Sequence, residues 1–255
     1  MPAFSPEQLT RVGCEIFEAA GCRPEDARAV VDHLVESNLF GHDSHGAIRF
    51  HEYAVGLRTG LYQADTAPKI LRDAPCSAVV DGGGALGAIG GTFATNVAIE
   101  KAREHGLSAV ALRNTCHIGR VGAYPLLAAR AGLVCQILVN AGHHGVWVAP
   151  FGGIDGRLST NPIAFAAPRR TEDGEADPIM LDMTTSMAAV GKVWVAANRG
   201  LPLPEGWILD RDGRPSTNPN DLIAEPYGAL LPLGGTVGYK GTGLGMLVEI
   251  LGGAL

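Results

Sequence analysis

Cysteine is scarce and unpatterned in this chain of 255 residues. There are five, Cys14, Cys22, Cys76, Cys116 and Cys135, an odd number without a CxxC pair. That argues against a disulfide frame or a thiolate zinc cluster and for reduced thiols in a cytoplasmic protein. Basic residues are outnumbered, 20 Lys+Arg against 26 Asp+Glu, and nowhere gather into a run. The resulting charge of −6 argues against a nucleic-acid or anionic-membrane surface as partner. No uninterrupted apolar stretch approaches membrane-spanning length. The opening "MPAFSPEQLT" lacks the basic and apolar regions of a signal peptide. HExxH, internal repeats and low-complexity tracts are absent as well.

With 46% hydrophobic and 18% charged residues, the chain has the composition of a folded domain or two. Ser5-Pro6-Glu7-Gln8 reads as a capping box with proline at the first helical position, followed by Leu9, Val12, Ile16 and Phe17 at helical spacing. A second helix starts at Pro24 and ends before Gly41, and a third runs from Ala47 to Leu57. After Cys76 strands and helices mix. "SAVVDG", "LSAVALRN", "LVCQILVNA", "NPIAFAAP" and "PIMLDM" read as strands. "GGTFATNVAIEKAREHG", "YPLLAARAG", "SMAAVGKVWVAANRG" and "KGTGLGMLVEILGGAL" read as helices, with a long loop at "LPLPEGWILDRDGRPSTNPND". The expected class is α/β (α+β), a helical N-terminal part followed by a larger mixed part.

"DGGGALG" (81–87) contains G-x-G-x-x-G between a strand and a helix, the setting of a dinucleotide loop. In a chain with 35 glycines such a match is cheap, the expected helix begins about a turn later, and no acidic residue ends the next strand. A flexible strand-to-helix turn is the better reading.

Five clusters carry chemistry. "GHDSHGAIRF" (41–50) offers His42, Asp43 and His45, but a metal would need a third partner, and His105, His117, His143 and His144 lie in unrelated contexts. Asp43 or Ser44 can cap the third helix. With Ser44 as N-cap, His45 and Arg49 share a helical face near the positive end of the helix, where Arg49 can fork onto a carboxylate and His45 can trade a proton. "NTCHIGRVGAY" (114–124) sets His117 after a strand among glycines. "STNPIAFAAP" offers Thr160 and Asn161 at a strand start, "LDMTTS" ends a strand at Asp182, and "GYKGTG" sets Lys240 in a glycine-rich helix start suited to an anionic group.

Taken in order, "GHDSHGAIRFHEY", "NTCHIGRVGAY", "APFGG…STNPIAFAAP", "LDMTTSMAAVGKV", "RGLPLPEGWILDRDGRPSTNP" and "LLPLGGTVGYKGTGLGMLVEILGG" resemble the landmarks of the second, non-Rossmann malate/L-lactate dehydrogenase family. Its relatives include ureidoglycolate and sulfolactate dehydrogenases, diketogulonate reductase and piperideine-2-carboxylate reductase. The resemblance covers essentially the whole chain. It implies a helical N-terminal domain (1–70) packed on a mixed-sheet, non-Rossmann nicotinamide-binding domain (71–238), with residues 239–255 beginning a return to the helical domain that is cut short relative to the family. It also implies a homodimer, NAD or NADP as cofactor, and a small 2-hydroxy or 2-oxo acid, or a related imino acid, as substrate.

By position, His45 resembles the family's proton donor and acceptor, with Ser44 and Asp182 supporting it. His117 stands where some members have the catalytic base or a substrate contact. Arg49 resembles the carboxylate ligand, and Thr160 and Asn161 part of the pocket. Asp182, Met183, Thr184, Tyr239 and Lys240 resemble cofactor contacts. The choice between His45 and His117 for proton transfer stays open, as does NAD against NADP. The alternative is a truncated, inactive homologue acting as a dimeric binding protein. A hydrolase built on Ser44 and His45 is disfavoured, because neighbours in a turn cannot readily form a nucleophile–base pair.

Overall fold

The computed structural model describes residues 4–142, 145–172 and 174–254. Helix α1 (Pro6–Ala19) opens with the capping box: Gln8 N–H donates to Ser5 Oγ (3.2 Å) and Ser5 N–H to Gln8 Oε1 (2.8 Å). Helix α2 (Pro24–Leu39) follows, then two single 3-10 turns (Asp43–His45 and Ala47–Arg49) and α3 (Phe50–Arg58). Phe17, Val30, Val31, Leu34, Phe50, Tyr53 and Leu57 form the buried seam of these helices. Each such apolar side chain contributes about 1.5–3 kcal/mol when fully buried.

The third helix thus starts at Phe50, not Ala47, and Ser44 is not its N-cap. Asn38 at the end of α2 is the reason. Its Oδ1 accepts from Ala47 N–H (2.8 Å) and its Nδ2 donates to Asp43 Oδ1 (2.7 Å). A Cβ on Gly46 would overlap the Asn38 amide, so this bridge needs glycine between the two turns.

Strands β1 (Lys69–Ala74), β2 (Ser77–Asp81) and β3 (Ala109–Arg113) make one sheet in that order, β1 antiparallel and β3 parallel to β2. No strand is expected from the sequence pattern over 69–74; β1 is exposed along its whole length and carries no inward-facing periodicity. Helix α4 (Gly87–His105) crosses between β2 and β3 and stops at Gly106, whose φ of 81° suits a left-handed cap. It starts at Gly87 and not a turn later, as expected from the sequence. Helix α5 (Ala123–Arg130) completes this part.

A second sheet has the order β4 (Cys135–Leu138), β5 (Ile163–Thr171), β6 (Gly174–Met183). Helix α6 (Val190–Arg199) begins four residues later than the sequence pattern suggested, because Ser186 Oγ–H donates to the Ala188 carbonyl (2.8 Å) in a non-helical turn. The long polar loop contains β7 (Ile208–Leu209), β8 (Pro215–Ser216), the short α7 (Asn220–Ile223) and β9 (Ala229–Leu230), with strand order β8-β7-β9. Helix α8 (Tyr239–Glu249) passes into a π-helical turn at Ile250–Ala254.

Two compact units result: Met1–Cys135 with Ala166–Ile179, and Gln136–Phe165 with Met180–Leu255. In the second, Val148, Val193, Ile208, Leu222 and Leu230 form the core. All three sheets found among the described residues are three-stranded, and none is a doubly wound parallel sheet. No helix among the described residues is long and apolar enough to cross a membrane.

Candidate active site

In the first unit, the glycine run after β2 serves as a seat for the chain beyond β3. Asp81 Oδ1 accepts from Gly83 N–H (3.0 Å) and from Asn114 Nδ2 (2.7 Å), which lowers the carboxyl pKa. Gly84 N–H donates to the Asn114 carbonyl (2.8 Å), and Cys116 N–H to the Ala85 carbonyl (3.2 Å). Gly87 lies so close to the Cys116 and His117 carbonyls that a Cβ would collide with them. The G-x-G-x-x-G match is therefore spent on close approach of the 114–117 backbone. Asn114, at φ 51°, makes the turn that leads out of β3.

A second clamp comes from α2. Gly119 has φ 71°, and the backbone N–H of Arg120 donates to His33 Nε2 (3.0 Å). The Arg120 side chain is fully buried, 4.3 Å from the Phe40 ring centroid and 2.6 Å from Glu36 Oε2. His33 stacks on Tyr124 (5.5 Å between centroids), and burial, with the Arg120 charge adding to it, pushes its pKa down to about 4.

Between these clamps stands His117. Its Nδ1 shares a hydrogen bond with Tyr53 Oη at 2.5 Å, and its ring stacks on His45 with centroids 5.5 Å apart. Burial first, then the charges of Arg49 and His45, push the His117 pKa down to about 3. Burial likewise holds the Tyr53 phenol well above 10, so both groups are neutral at neutral pH. Ser44, buried, shares a hydrogen bond with His45 Nδ1 (2.9 Å), a contact between turn neighbours that corrects the expectation that these two side chains cannot readily meet.

Arg49 Nε donates to the Ser44 carbonyl (2.9 Å), and Nη1 reaches Glu52 Oε2 at 2.5 Å. His45 and Arg49 accordingly sit on successive 3-10 turns and not on one face of a continuous helix, a correction to the sequence reading. His42 is engaged elsewhere, its Nδ1 3.1 Å from the Phe40 carbonyl.

The structure thus brings Ser44, His45, Arg49 and His117 together in this unit. Tyr53 joins them, although the sequence does not single it out. Its place in the sequence pattern, Phe50-Tyr53-Leu57, marks only a core-facing stripe, and its hydroxyl gives no signal of its own. Among the described residues no three His, Cys, Asp or Glu side chains are placed to hold a metal ion, and His143 and His144 lie outside the described residues.

In the second unit, Thr160 and Asn161 precede β5. The Thr160 carbonyl accepts from Thr185 N–H (3.0 Å) and Thr185 Oγ1 (3.2 Å). Asn161 is fully buried at φ 37°, and its Nδ2 donates to Glu249 Oε1 (2.9 Å) and the Gly245 carbonyl (3.0 Å). Asn140 Nδ2 donates to the other oxygen of Glu249. Neither Asn140 nor Glu249 stood out in the sequence.

Asn161 Oδ1 is buried without a hydrogen-bond partner. Asp182 and Met183 end β6, and Thr184 Oγ1–H donates to the Ser186 carbonyl (3.0 Å). Leu233 N–H donates to the Thr185 carbonyl (2.9 Å), and Gly241 packs on the Leu233 backbone with no space for a Cβ. Both the "LDMTTS" segment and the start of α8, which carries Tyr239 and Lys240, thus meet the Leu233 backbone. Lys240 Nζ lies 5.9 Å over the Tyr239 ring. The hydroxyls of the "LDMTTS" segment and the Lys240 ammonium are of the chemistry that would hold the phosphates of a dinucleotide.

Comparison with known proteins gives the family of the chain. The family model described as malate/L-lactate dehydrogenase matches residues 4–255. Hydroxycarboxylate dehydrogenase B of Escherichia coli K12 is 39% identical over 241 residues, covering 94% of this chain and 64% of its own. Malate dehydrogenase of Pyrococcus horikoshii is 38% identical over 244 residues, 94% of this chain and 65% of its own. The crystal structure of a delta1-piperideine-2-carboxylate reductase from Pseudomonas syringae superimposes with a TM-score of 0.88 at 32% identity, over 100% of this chain and 73% of that one. The chain thus spans a little under two thirds of the length of these two curated relatives.

Proposed function

Because the chain belongs to the malate/L-lactate dehydrogenase family, we propose that it acts in NAD(P)-dependent interconversion of a small 2-hydroxy acid, malate- or lactate-like, or a related imino acid, with its oxidised form. The observation that carries this reading is the pairing of His117 with the buried Tyr53 and with His45, beside Arg49. A nicotinamide cofactor, when bound, would supply the hydride chemistry at substrate C2. The remaining work falls to the protein: Arg49 holds the substrate carboxylate, and a histidine hydrogen-bonds the C2 oxygen while a proton is exchanged there. Ser44 orients His45 through Nδ1. Within the second unit, Thr160 and Asn161 are pocket residues, and Asp182, Met183, Thr184, Tyr239 and Lys240 are cofactor contacts.

In this reading residues 1–70 supply the acid-binding groups, 71–238 the cofactor-binding part, and the assembly is a homodimer. The test is a thermal-shift titration with NAD+, NADH, NADP+ and NADPH, followed by nicotinamide absorbance assays with malate, lactate, oxaloacetate and pyruvate. A ligand at a hundred times its Kd stabilises the fold by about 2.7 kcal/mol. A raised melting temperature with at least one form is expected. No shift with any of the four at millimolar concentration rejects the cofactor assignment. Sedimentation equilibrium checks the dimer.

A further inference from the structure

We propose that Tyr53 is a positioning residue that decides which ring nitrogen of His117 carries the hydrogen: its hydroxyl donates to Nδ1 and so leaves the N–H on Nε2. The phenol is held rigidly, 2% exposed, with its ring 6.4 Å from that of Phe17 and edge-on to that of Tyr62 at 5.9 Å. It meets the His117 ring edge to face, 6.0 Å between centroids and 65° between planes. The hydroxyl has one hydrogen and two acceptors within reach, His117 Nδ1 at 2.5 Å and the His117 carbonyl at 3.4 Å. The second distance is at the outer limit of a hydrogen bond, so the hydrogen goes to nitrogen. A neutral imidazole has one N–H, and a donor aimed at Nδ1 leaves Nε2 as its only place. The direction of both shifts agrees: burial keeps Tyr53 protonated and His117 neutral.

This tautomer constrains the proposed reaction, a step that rests on the dehydrogenase reading. Nε2–H makes His117 a hydrogen-bond donor to the C2 oxygen. If His117 gave that hydrogen to the substrate, the Tyr53 hydrogen would have to pass to Nδ1, and a buried phenolate would remain. His117 therefore orients the oxygen and keeps its hydrogen, and His45, stacked beside it, exchanges the proton.

The experiment uses the whole chain labelled with 15N-histidine, near neutral pH and without cofactor or substrate. Long-range 1H–15N spectra report the tautomer of each ring, and His117→Gln identifies the His117 signals by their loss. The expected result is an unprotonated Nδ1 and a protonated Nε2, with the Nδ1 resonance displaced by its hydrogen bond. Tyr53→Phe keeps the packed ring and should move that Nδ1 resonance to the position of an unbonded nitrogen, leaving other histidines in place. A His117 protonated on Nδ1, or an Nδ1 resonance unmoved in Tyr53→Phe, overturns the proposal. If circular dichroism shows Tyr53→Phe unfolded, the wild-type tautomer decides alone. Since the spectra need neither cofactor nor turnover, failure here and failure of the dehydrogenase reading are separate results.

Discussion

His45 and His117 lie ring on ring, 5.5 Å between centroids and 18° from parallel, one carried by the turns after α2 and the other by the loop after β3. A charge on one disfavours a charge on the other, and the His45 charge is among the causes that lower the His117 pKa. The stack thus divides the labour: two imidazoles this close do not both become cations near neutral pH.

The proposed proton exchange by His45 has a direct kinetic consequence. General acid–base catalysis contributes typically about 10²–10⁴-fold, so His45→Ala should lose turnover on that scale in a catalytically competent form. His42, whose ring is turned to the Phe40 carbonyl, is different, and His42→Ala should change turnover little. Equal losses in both, restored by added zinc or manganese, would point to a metal at this segment instead.

Arg49→Lys should raise the KM for the acid while cofactor affinity stays near wild type. Lysine cannot reproduce the planar fork, and it also forfeits the Nε–H bond to the Ser44 carbonyl. A hydrogen bond to a charged group contributes about 1.5–3 kcal/mol, so the increase in KM should be about tenfold or more. Steady-state kinetics with each ligand varied in turn would show it, and an unchanged KM would remove Arg49 from the carboxylate site.

Gly119 and Gly132 both have positive φ, 71° and 85°, but differ in surroundings. A Cβ at 119 would enter the His33 ring, whereas at 132 it would meet nothing within 4 Å. Gly132→Ala should cost only the backbone strain, about 1–2 kcal/mol. Gly119→Ala should cost clearly more, because the His33–Arg120 bond must also give way. Urea denaturation of the two variants makes the comparison, and equal losses would show that the clamp on the His117 loop adds nothing.

Acid should loosen the first unit. His33 and His117 have folded pKa values of about 4 and about 3, below the ordinary 6.5. Between those values the unfolded chain binds protons that the folded one does not, so stability falls as pH falls. The loss begins near pH 6.5, proceeds at up to about 1.4 kcal/mol per pH unit for each histidine, and levels off for His33 below pH 4. His33→Gln should reduce the slope between pH 6.5 and 5, where carboxylates contribute little. Denaturation at a series of pH values reads it, and an unaltered slope would mean that His33 is not buried neutral.

Much of the N-terminal fold was readable because its signals are local. The Ser5–Gln8 box and the 3.6-residue apolar stripe of α1 and α2 act between residues a few positions apart. The same locality misled at α3: Ala47 and Ile48 continue a helical pattern, and only Asn38, from another element, breaks it into turns. Strand β1 went unseen because its residues are all exposed, so pairing with β2 and not a buried face defines it.

The chain by itself determined the helical opening, the mixed strands and helices after Cys76, and which segments carry imidazole, guanidinium, hydroxyl and ammonium groups. These depend on composition and on spacing along the backbone. Tertiary structure alone decided that Tyr53 sits on His117 Nδ1, that His33 and Glu36 hold the loop beyond it through Arg120, and that the glycines after β2 seat the backbone beyond β3. Each of these joins residues distant in sequence by a contact of a few ångströms. Burial then sets their charge states, and burial is a property of the packed interior that no stretch of sequence carries.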